Sequence, residues 1–371
     1  MASTCNELLD LCLRGESWSP ELLDRAIAED DGRALFTVVV ERLGDLFEPD
    51  LCAVYARLFT DVIARVCPEL IARTRRITGG LWPATNRVYV LSRITLGADV
   101  AVTSVLLDAA KRRYPSAEIV FAGPRKNYEL FEADPRIVHR DVPYARGGSL
   151  RDRLQASAAL WFDDGLVLDP DSRLTQLGLI RVCPDDRYRF FESRSFGGNG
   201  EARLPDLAGR WADDPEARPY VAPRAPEGAP VDITVSLGVG DNPAKRLGDD
   251  FERDLLRMLA ATGASVLIDK GGSEAERDRV ERALPAGMRT HDGPFAPFAA
   301  EIARSKLFVG YDSAAGHVAS ACGVPLISIA KGFVSERMAA RWRPIGTVID
   351  GNVPNVLDQV SKALATCTFR R

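Results

Sequence analysis

The stretch RVYVLSRITLGADVAVTSVLLDAAKRRYPSAEIVFAG, residues 87 to 123, decides the fold class of this chain. Its two ends are short runs rich in Val, Ile, Tyr and Phe, which favour β-strands. Between them, Val102, Leu106 and Ala109 share one apolar face of an amphipathic helix. A strand, a helix and a second strand in this order form a βαβ unit of a parallel sheet. The stretch therefore predicts an α/β domain.

A second alternation of strands and helices begins at about residue 231. The predicted strands are VDITVSLG, ASVLID, KLFVGYD and VPLISIA, and amphipathic stretches such as DDFERDLLRMLAATG lie between them. Two Rossmann-like units of this kind enclose a cleft, because the carboxyl ends of both sheets face it. The stretch 203 to 230 is rich in Pro, Asp, Arg and Gly, which indicates a linker between the two units.

Residues 1 to about 80 differ from both units, because their apolar residues recur at the three- and four-residue spacing of helices. Pro20 after Ser19 indicates the first turn of a capped helix, and Pro49 indicates a break between two others. We interpret these helices as a packing appendage, with a docking surface for a protein partner as the alternative. We therefore expect a helical extension (1–82), a first Rossmann-like domain (83–225) and a second (226–371).

Composition and charge exclude several classes of protein. The 371 residues exceed what one core of about 150 residues needs, and 46% apolar and 27% charged residues are typical of a folded globular chain. With 48 basic and 52 acidic residues the net charge is −4, so nothing favours nucleic-acid binding. The sequence contains no signal-peptide pattern and no apolar run of the ~18 residues that a membrane span needs. Its seven scattered cysteines form no Cys-x-x-Cys pair, and we expect reduced thiols in the cytoplasm.

The segment LFVGYDSAAGHVASACGVP, residues 307 to 325, carries the most chemistry. A strand ends at Asp312 and a helix starts with Ser313, so free backbone N–H groups form a ready anion site beside a carboxylate. Small residues at this helix start let a phosphate approach, and His317 lies about one turn further along. The alternative is that Asp312 only caps the helix and His317 belongs to the core, and spacing alone leaves both interpretations open.

Several motifs together resemble a known family. The pattern Gly-x-Asp-Ser-x-x-x-His-x-Ala-x-Ala-x-Gly-x-Pro, from Gly310 to Pro325, resembles the donor-site signature of the heptosyltransferases of glycosyltransferase family 9. The segment from Arg93 to Val100 is similar to the opening element of that family. Three further similar elements follow in the family's order: Pro243-Ala244-Lys245-Arg246 with Phe251, Gly271-Gly272-Ser273-Glu274, and Arg341-Trp342-Arg343-Pro344-Ile345-Gly346. The resemblance covers about residues 85 to 350 and leaves the N-terminal helices uncovered.

The resemblance implies a GT-B architecture and an inverting, metal-independent glycosyltransferase that moves a sugar from an ADP-sugar, ADP-heptose first, to an acceptor hydroxyl. It implies Asp99 as the catalytic base, with a helix N-cap as the alternative. Acceptor contacts are expected from Arg93 and Arg173. Donor contacts are expected from Lys245, Arg246, Glu274, Asp312, Ser313, Ala314 and His317. Lys245 and the amides at the helix start would stabilise the leaving diphosphate, although Lys245 also fits a solvated surface residue.

The resemblance implies no cofactor beyond the nucleotide-sugar substrate and no metal. Asp169-Pro170-Asp171 does not convincingly end a strand as a metal-holding element would. The acceptor stays open between a glycan, a lipid-linked molecule, a protein and a small metabolite. A lipid-linked acceptor would place the protein at the cytoplasmic face of the inner membrane as a peripheral protein.

The chain also departs from the family pattern. Ala98 stands in place of the glycine before the catalytic aspartate, and Ala314 in place of the glycine of Asp-Ser-Gly. The methyl group of Ala314 reduces the space for a phosphate or sugar, so a donor sugar other than heptose fits too. The main alternative function is a non-catalytic nucleotide-sugar-binding or regulatory protein. A GT-B epimerase and a Rossmann dehydrogenase are further alternatives, the latter weak because LGAD holds one glycine.

Overall fold

The computed structural model describes residues 3–75, 80–240 and 242–367. Its α-helices are α1 (Thr4–Leu13), α2 (Pro20–Ala28), α3 (Glu41–Asp45), α4 (Pro49–Val66), α5 (Leu96–Ala98), α6 (Ser104–Arg113), α7 (Arg125–Tyr128), α8 (Leu150–Ala158), α9 (Leu204–Trp211), α10 (Asp249–Ala261), α11 (Glu274–Ala283), α12 (Phe295–Arg304), α13 (Ala314–Ala321), α14 (Glu336–Trp342) and α15 (Val356–Ala365). Its strands are β1 (Arg87–Leu91), β2 (Glu118–Gly123), β3 (Ile137–Asp141), β4 (Leu166–Asp169), β5 (Tyr188–Phe190), β6 (Ile233–Ser236), β7 (Val266–Asp269), β8 (Arg289–His291), β9 (Leu307–Tyr311), β10 (Leu326–Ala330) and β11 (Thr347–Asp350).

The strands form two parallel sheets, as the alternating pattern predicts. The first sheet has the order β3-β2-β1-β4-β5 and the second β11-β10-β9-β6-β7-β8, and every neighbouring pair is parallel. The strand order reverses between β1 and β4 and again between β6 and β9. Such reversals leave a crevice at the carboxyl ends of the strands, which is where α/β proteins bind ligands. The predicted α/β architecture with two Rossmann-like units is confirmed.

The predicted linker is wrong for its first part. Within residues 203 to 230, α9 folds as a helix, and its Leu204, Leu207 and Ala208 are buried in the core of the first unit. The loop that follows also packs, since the backbone N–H of Tyr220 donates to Ser104 Oγ at 3.1 Å. The signal was available in the sequence, because these apolar residues are spaced three and four apart. The domain boundaries at residues 82 and 225 stay predictions.

The N-terminal residues fold as helices, as predicted. Ser19 caps α2 by accepting a hydrogen bond from the Leu22 N–H at 3.1 Å, and Pro49 begins α4. The helices share one apolar core with the first Rossmann-like unit. That core joins Phe36 and Leu58 of the extension to the following residues of the first unit: Leu150, Leu154, Leu177, Leu179 and Ile180. The contacts therefore favour the packing interpretation of the extension.

The end of α3 and its connection to α4 contact both Rossmann-like units. A Cβ atom on Gly44 would lie 2.8 Å from Nε of Arg194, which belongs to the first unit. From α14 of the second unit, Arg337 donates to the Phe47 carbonyl oxygen at 2.9 Å and pairs with Glu48 at 3.1 Å. The extension is thus held against the mouth of the cleft. Over the ranges that the structure describes, no helix has the length and apolar character to cross a membrane.

Candidate functional site

The cleft is formed by the loops that follow β1 and β4 in the first unit and β6 and β9 in the second. The two units meet where α5 faces the start of α13. A Cβ atom on Gly97 would lie 3.2 Å from the His317 ring and 3.3 Å from Cα of Ala314. Glycine at position 97 is what allows the two units to approach so closely.

On the second unit, the structure brings Lys245 and Asp312 together. Lys245 Nζ lies 2.7 Å from Asp312 Oδ2 and donates to the Asp312 carbonyl oxygen at 3.0 Å. The Lys245 side chain is 17% exposed and that of Asp312 is 7% exposed, so this is a nearly buried ion pair rather than a solvated lysine. The pair joins the loop after β6 to the end of β9, and it places a cation at the start of α13.

The start of α13 offers unused hydrogen-bonding groups. Ser313 is the N-cap residue, but its side chain makes no capping hydrogen bond, and its buried hydroxyl has no partner within the part of the chain that the structure describes. The first N–H groups of a helix have no partner inside the helix either. Ala314 begins this turn. A buried hydroxyl, free N–H groups and a nearby lysine together suit an anion such as a phosphate.

His317 lies on α13, one turn beyond Ser313. Its ring centroid is 5.7 Å from that of Trp342, and the ring also packs against Gly97 of the first unit. Burial lowers the pKa of His317, while the Asp312 carboxylate raises it and Lys245 lowers it. The lowered pKa favours a neutral imidazole at neutral pH, and this ring fills the contact between the two units.

The guanidinium of Arg246 is already committed to neighbouring carboxylates. It pairs with Asp249, and its Nε donates to the fully buried Glu252 at 2.9 Å. Glu252 also accepts from Arg279 at 2.6 Å and from the Tyr311 hydroxyl at 3.1 Å. In this arrangement Arg246 positions the loop that carries Lys245, and its predicted donor contact stays a prediction.

Glu276, which the sequence reasoning missed, joins two loops at the carboxyl end of the second sheet. Glu274 is exposed on the first turn of α11, and within the described ranges no hydrogen bond or ion pair ties it to the cleft. The Glu276 carboxylate accepts from the N–H groups of Gly272 at 3.0 Å and Val239 at 3.4 Å, so it joins the loops after β6 and β7. The signal was the capping box from Ser273 to Glu276, which turns the second glutamate back over the helix start.

Asp99, the predicted base, is fully buried. Its two carboxylate oxygens accept four hydrogen bonds, each of 2.6 Å, from the Ser92 and Thr103 hydroxyls, the Arg93 N–H and the Asn127 amide. Burial raises the pKa of Asp99, and these hydrogen bonds oppose the increase. Asp99 is not an N-cap either, because its own N–H donates to Thr95 within the helical turn. This geometry argues against the predicted base role, since no oxygen is exposed to an acceptor.

On the first unit, the predicted acceptor residues Arg93 and Arg173 line one cavity of about 210 Å³. Arg93 donates to the Pro170 carbonyl oxygen at 2.7 Å and to the Ser193 hydroxyl at 2.8 Å, and burial lowers its pKa to about 10. One terminal nitrogen of Arg173 is buried and has no partner among the described residues. Arg173 is therefore the cation that is most available to a bound molecule here.

The N-terminal extension contributes two carboxylates to the same cavity. Glu41 and Asp45, both on α3, lie in its wall together with Arg173 and with Tyr144, whose hydroxyl has no partner among the described residues. Burial raises the pKa of Asp45. Sequence reasoning missed these two residues, because the family resemblance does not extend over the N-terminal helices.

The expectation that Asp169-Pro170-Asp171 does not end a strand is wrong, because Asp169 is the last residue of β4. Both carboxylates are nevertheless engaged with protein partners. Asp169 accepts from the Ser172 N–H at 2.7 Å and from the Thr175 and Tyr188 hydroxyls at 2.5 Å, and burial raises its pKa to about 6. Asp171 pairs with Arg194 at 2.8 Å. Among residues 3–75, 80–240 and 242–367, no three His, Cys, Asp or Glu side chains are grouped as metal ligands.

Comparisons with known proteins find similarity at the level of structure. No protein-family model and no curated protein matches the chain. Among solved structures, Escherichia coli heptosyltransferase WaaC with ADP-2-deoxy-2-fluoro heptose matches at 16% identity and a TM-score of 0.56, over 75% of this chain and 99% of that chain. E. coli ADP-heptose lipopolysaccharide heptosyltransferase II matches at 17% identity and 0.54, over 76% and 98%. A family 9 glycosyltransferase from Veillonella parvula matches at 14% and 0.55, over 78% and 94%.

Similarity at identities this low establishes the fold only. The activity has to be argued from the residues of the site. The three structures are covered almost completely, so the similarity spans their whole length. The chain therefore has the two-unit α/β fold of the heptosyltransferase structures. Among the described residues, a partnerless hydroxyl and an ion pair lie on one side of its cleft and a charged cavity lies on the other.

Proposed function

We propose that the chain is a glycosyltransferase that transfers a sugar, heptose first, from an ADP-sugar to an acceptor hydroxyl. The observation that carries the proposal is the Ser313 hydroxyl at the start of α13, which has no partner among the described residues and lies beside the Lys245–Asp312 pair. A nucleoside diphosphate has the charge and the size for this place, because two phosphates can accept from the free N–H groups and from Lys245. Its position at the strand-order reversal of the second sheet also supports the proposal.

The leaving diphosphate needs electrostatic stabilisation as the bond to the anomeric carbon breaks. Lys245 and the N-terminal end of α13 would supply it, in a nearly buried place where such interactions are strong. Single displacement with one base inverts the anomeric carbon, and we include inversion in the proposal. Metal independence is also part of it, supported by the engagement of Asp169 and Asp171 with Tyr188 and Arg194.

A second candidate is a non-catalytic nucleotide-sugar-binding protein. The observation that favours it is the complete burial of Asp99, which leaves the position expected to hold the base without an exposed oxygen. In this alternative the donor side binds a nucleotide sugar and no transfer follows.

A binding panel tests the donor site before an acceptor is known. Thermal shift and calorimetry would compare ADP, UDP, GDP, NAD and ADP-heptose, without added metal and then with EDTA. Binding to the folded state raises its stability by mass action. We expect ADP and ADP-heptose to raise the melting temperature, with no loss of the effect in EDTA.

The other outcomes would change the proposal in distinct ways. A preference for UDP or GDP would leave the fold and the nucleotide-sugar class of donor unchanged. It would replace adenine as the nucleobase of the donor. NAD alone, or no response, would contradict the donor site. Binding of ADP-heptose without any ADP release, in water or with glycan acceptors, would favour the non-catalytic alternative.

A further inference from the structure

We propose that Asp45, from the N-terminal helical extension, is the general base that takes the proton of the acceptor hydroxyl. The inference rests on the proposed glycosyltransferase function and names a residue for its chemical step. It also gives the extension a role in the reaction, in addition to its packing against the first unit.

Asp45 lies where an acceptor would meet the donor. It lines the cavity that also contains Arg93, Arg173, Ala98 and Trp342. Ala98 precedes the buried Asp99 and follows Gly97, the residue at which the two units touch. In this first helical turn, position 98 faces the cavity and position 99 faces the interior. At this part of the cleft, α5 presents only the methyl group of Ala98 to the cavity. Asp45 is a carboxylate in the wall of the same cavity.

The charges around Asp45 come from both sides of the cleft. Burial has the largest effect on its pKa and raises it; Arg173, Arg194 and Lys245 lower it, and Glu41 raises it. The effect of Lys245 is informative, because this lysine belongs to the donor side, on the loop after β6. Asp45 therefore sits within electrostatic range of the place proposed for the leaving diphosphate.

Asp45 is available for proton transfer, unlike the other aspartates of the cleft. Its carboxylate makes no hydrogen bond and no ion pair within the described ranges. Asp99 has four donors, Asp169 has three and Asp171 is paired with Arg194. A base must keep a lone pair free for the proton that it accepts, and a raised pKa makes a carboxylate a stronger base at neutral pH.

The position of Asp45 is fixed by contacts on either side of it. The neighbouring Gly44 packs so closely on Arg194 that a Cβ atom would lie 2.8 Å from Nε. Two residues later, the Phe47 carbonyl oxygen accepts from Arg337 of the second unit at 2.9 Å. A carboxylate held between two anchored points needs little reorganisation in the transition state.

The acceptor oxygen forms a bond to the anomeric carbon, and the bond from that carbon to the diphosphate oxygen breaks. The bonding electron pair leaves with the diphosphate, whose added charge faces Lys245. The proton of the acceptor hydroxyl moves to the Asp45 carboxylate, which becomes a neutral carboxylic acid.

The test uses water in place of the unidentified acceptor. Release of ADP from ADP-heptose would be measured for the full-length wild type, Asp45→Asn, Asp45→Glu, Asp99→Asn and the control Asp50→Asn. Asp50 is exposed on the first turn of α4, five residues from Asp45. Loss of a general base typically lowers the rate about 100-fold or more. We expect this loss in Asp45→Asn, partial activity in Asp45→Glu, and wild-type activity in Asp50→Asn, with ADP affinity unchanged in all three.

The two proposals fail in different ways. If wild type does not bind ADP or ADP-heptose, the proposed function fails, and Asp45 fails with it. If wild type binds and hydrolyses the donor, while Asp45→Asn does so at the same rate, only the assignment of Asp45 is overturned. Loss of activity in Asp99→Asn alone, with the variant still folded and binding ADP, would return the base role to Asp99.

A measurement independent of turnover decides the case in which wild type releases no ADP in water. Carbodiimide and glycine ethyl ester label accessible carboxyl groups, and mass spectrometry locates the label. We expect labelling of Asp45 but not of Asp99, and protection of Asp45 by ADP-heptose. Labelling of Asp45 that ADP-heptose does not reduce would overturn the proposal.

Discussion

The two Rossmann-like units share a strand-order reversal but use it differently. At the reversal between β6 and β9, one ion pair between Lys245 and Asp312 lies beside unused hydrogen-bond donors of α13. At the reversal between β1 and β4, the carboxylates of Asp99 and Asp169 are saturated with hydrogen bonds. In the second unit, hydrogen-bonding groups are left for a ligand. In the first unit, the carboxylates hold the protein's own loops. A carboxylate in or near the loop that follows a parallel strand is therefore no evidence of catalysis until its hydrogen-bond partners have been counted.

The largest expected effect is on stability, when the Asp99 carboxylate is removed from the strand-order reversal between β1 and β4. Asp99→Ala leaves two hydroxyls, an amide and a backbone N–H without a buried partner, and each orphaned group costs about 1 to 3 kcal/mol. We expect the free energy of unfolding to fall by about 5 kcal/mol, measured by chemical denaturation. Asp99→Asn retains one acceptor oxygen and should lose less. A loss below about 1 kcal/mol in Asp99→Ala would show that the hydrogen bonds are not what holds this loop.

Breaking the Lys245–Asp312 ion pair, at the strand-order reversal between β6 and β9, should affect ligand binding as well as stability. Lys245→Ala leaves Asp312 nearly buried and unpaired, which costs about 4 kcal/mol of unfolding free energy. We also expect the affinity for ADP to fall at least about 10-fold, because a charge-assisted contact to the diphosphate is lost. The matched control is Lys306→Ala, whose partner Asp232 forms a more exposed pair and should contribute less than about 1 kcal/mol. Unchanged ADP affinity in Lys245→Ala would separate the ion pair from the anion site.

The pH dependence of stability should distinguish the buried carboxylate of Asp169 from an ordinary one. Its pKa rises from 3.8 to about 6 in the folded state, so the folded state binds the proton more tightly than the unfolded state does. Wild type should therefore lose up to about 3 kcal/mol as pH rises from about 4 to about 6, and no more above that. Asp169→Asn lacks this titration, so the stability difference between the two proteins should change across this window. A constant difference would mean that the hydrogen bonds from Thr175 and Tyr188 fully offset the burial.

The smallest expected effect on stability comes from a substitution at the contact between the two Rossmann-like units. Gly97→Ala places a methyl group 3.2 Å from the His317 ring and 3.3 Å from Cα of Ala314. The neighbours must give way by a few tenths of an ångström, and we expect the free energy of unfolding to fall by about 1 kcal/mol, partly offset by the helix preference of alanine. Gly147→Ala is the control, since no atom lies within 4 Å of its added Cβ. Equal melting temperatures for the two variants would show that the units can separate slightly at no cost.

The parts of the fold that depend on local pattern could be predicted from the sequence. Period, caps and motif order predict the strands that flank α6 and α13 and the helices of the extension. The role of Lys245 at a donor site stays a prediction. The direction of single side chains could not be predicted. Ala98 and Asp99 are adjacent, and the π-helical turn Asp99–Thr103 determines which of them faces the cavity. No local sequence pattern predicts this turn.

The base candidate on the extension illustrates a second limit. Asp45 and Arg173 are 128 residues apart in the sequence and meet only because α3 packs over the mouth of the cleft. Such a contact is determined by tertiary packing, and nothing in the spacing of either segment encodes it. The same holds for Arg337, whose hydrogen bond to Phe47 spans 290 residues.

The shared core of the extension and the first unit has a consequence for synthesis on the ribosome. The helices around Phe36 and Leu58 emerge early, but Leu177, Leu179 and Ile180, which complete their core, emerge about a hundred residues later. At about 5 to 20 residues per second, this interval lasts about 5 to 20 s. During that time the nascent chain exposes an apolar helical surface, which is the kind of surface that chaperones bind. Slower translation of residues 74 to 180 should therefore lengthen the period in which the unfinished chain is prone to aggregate.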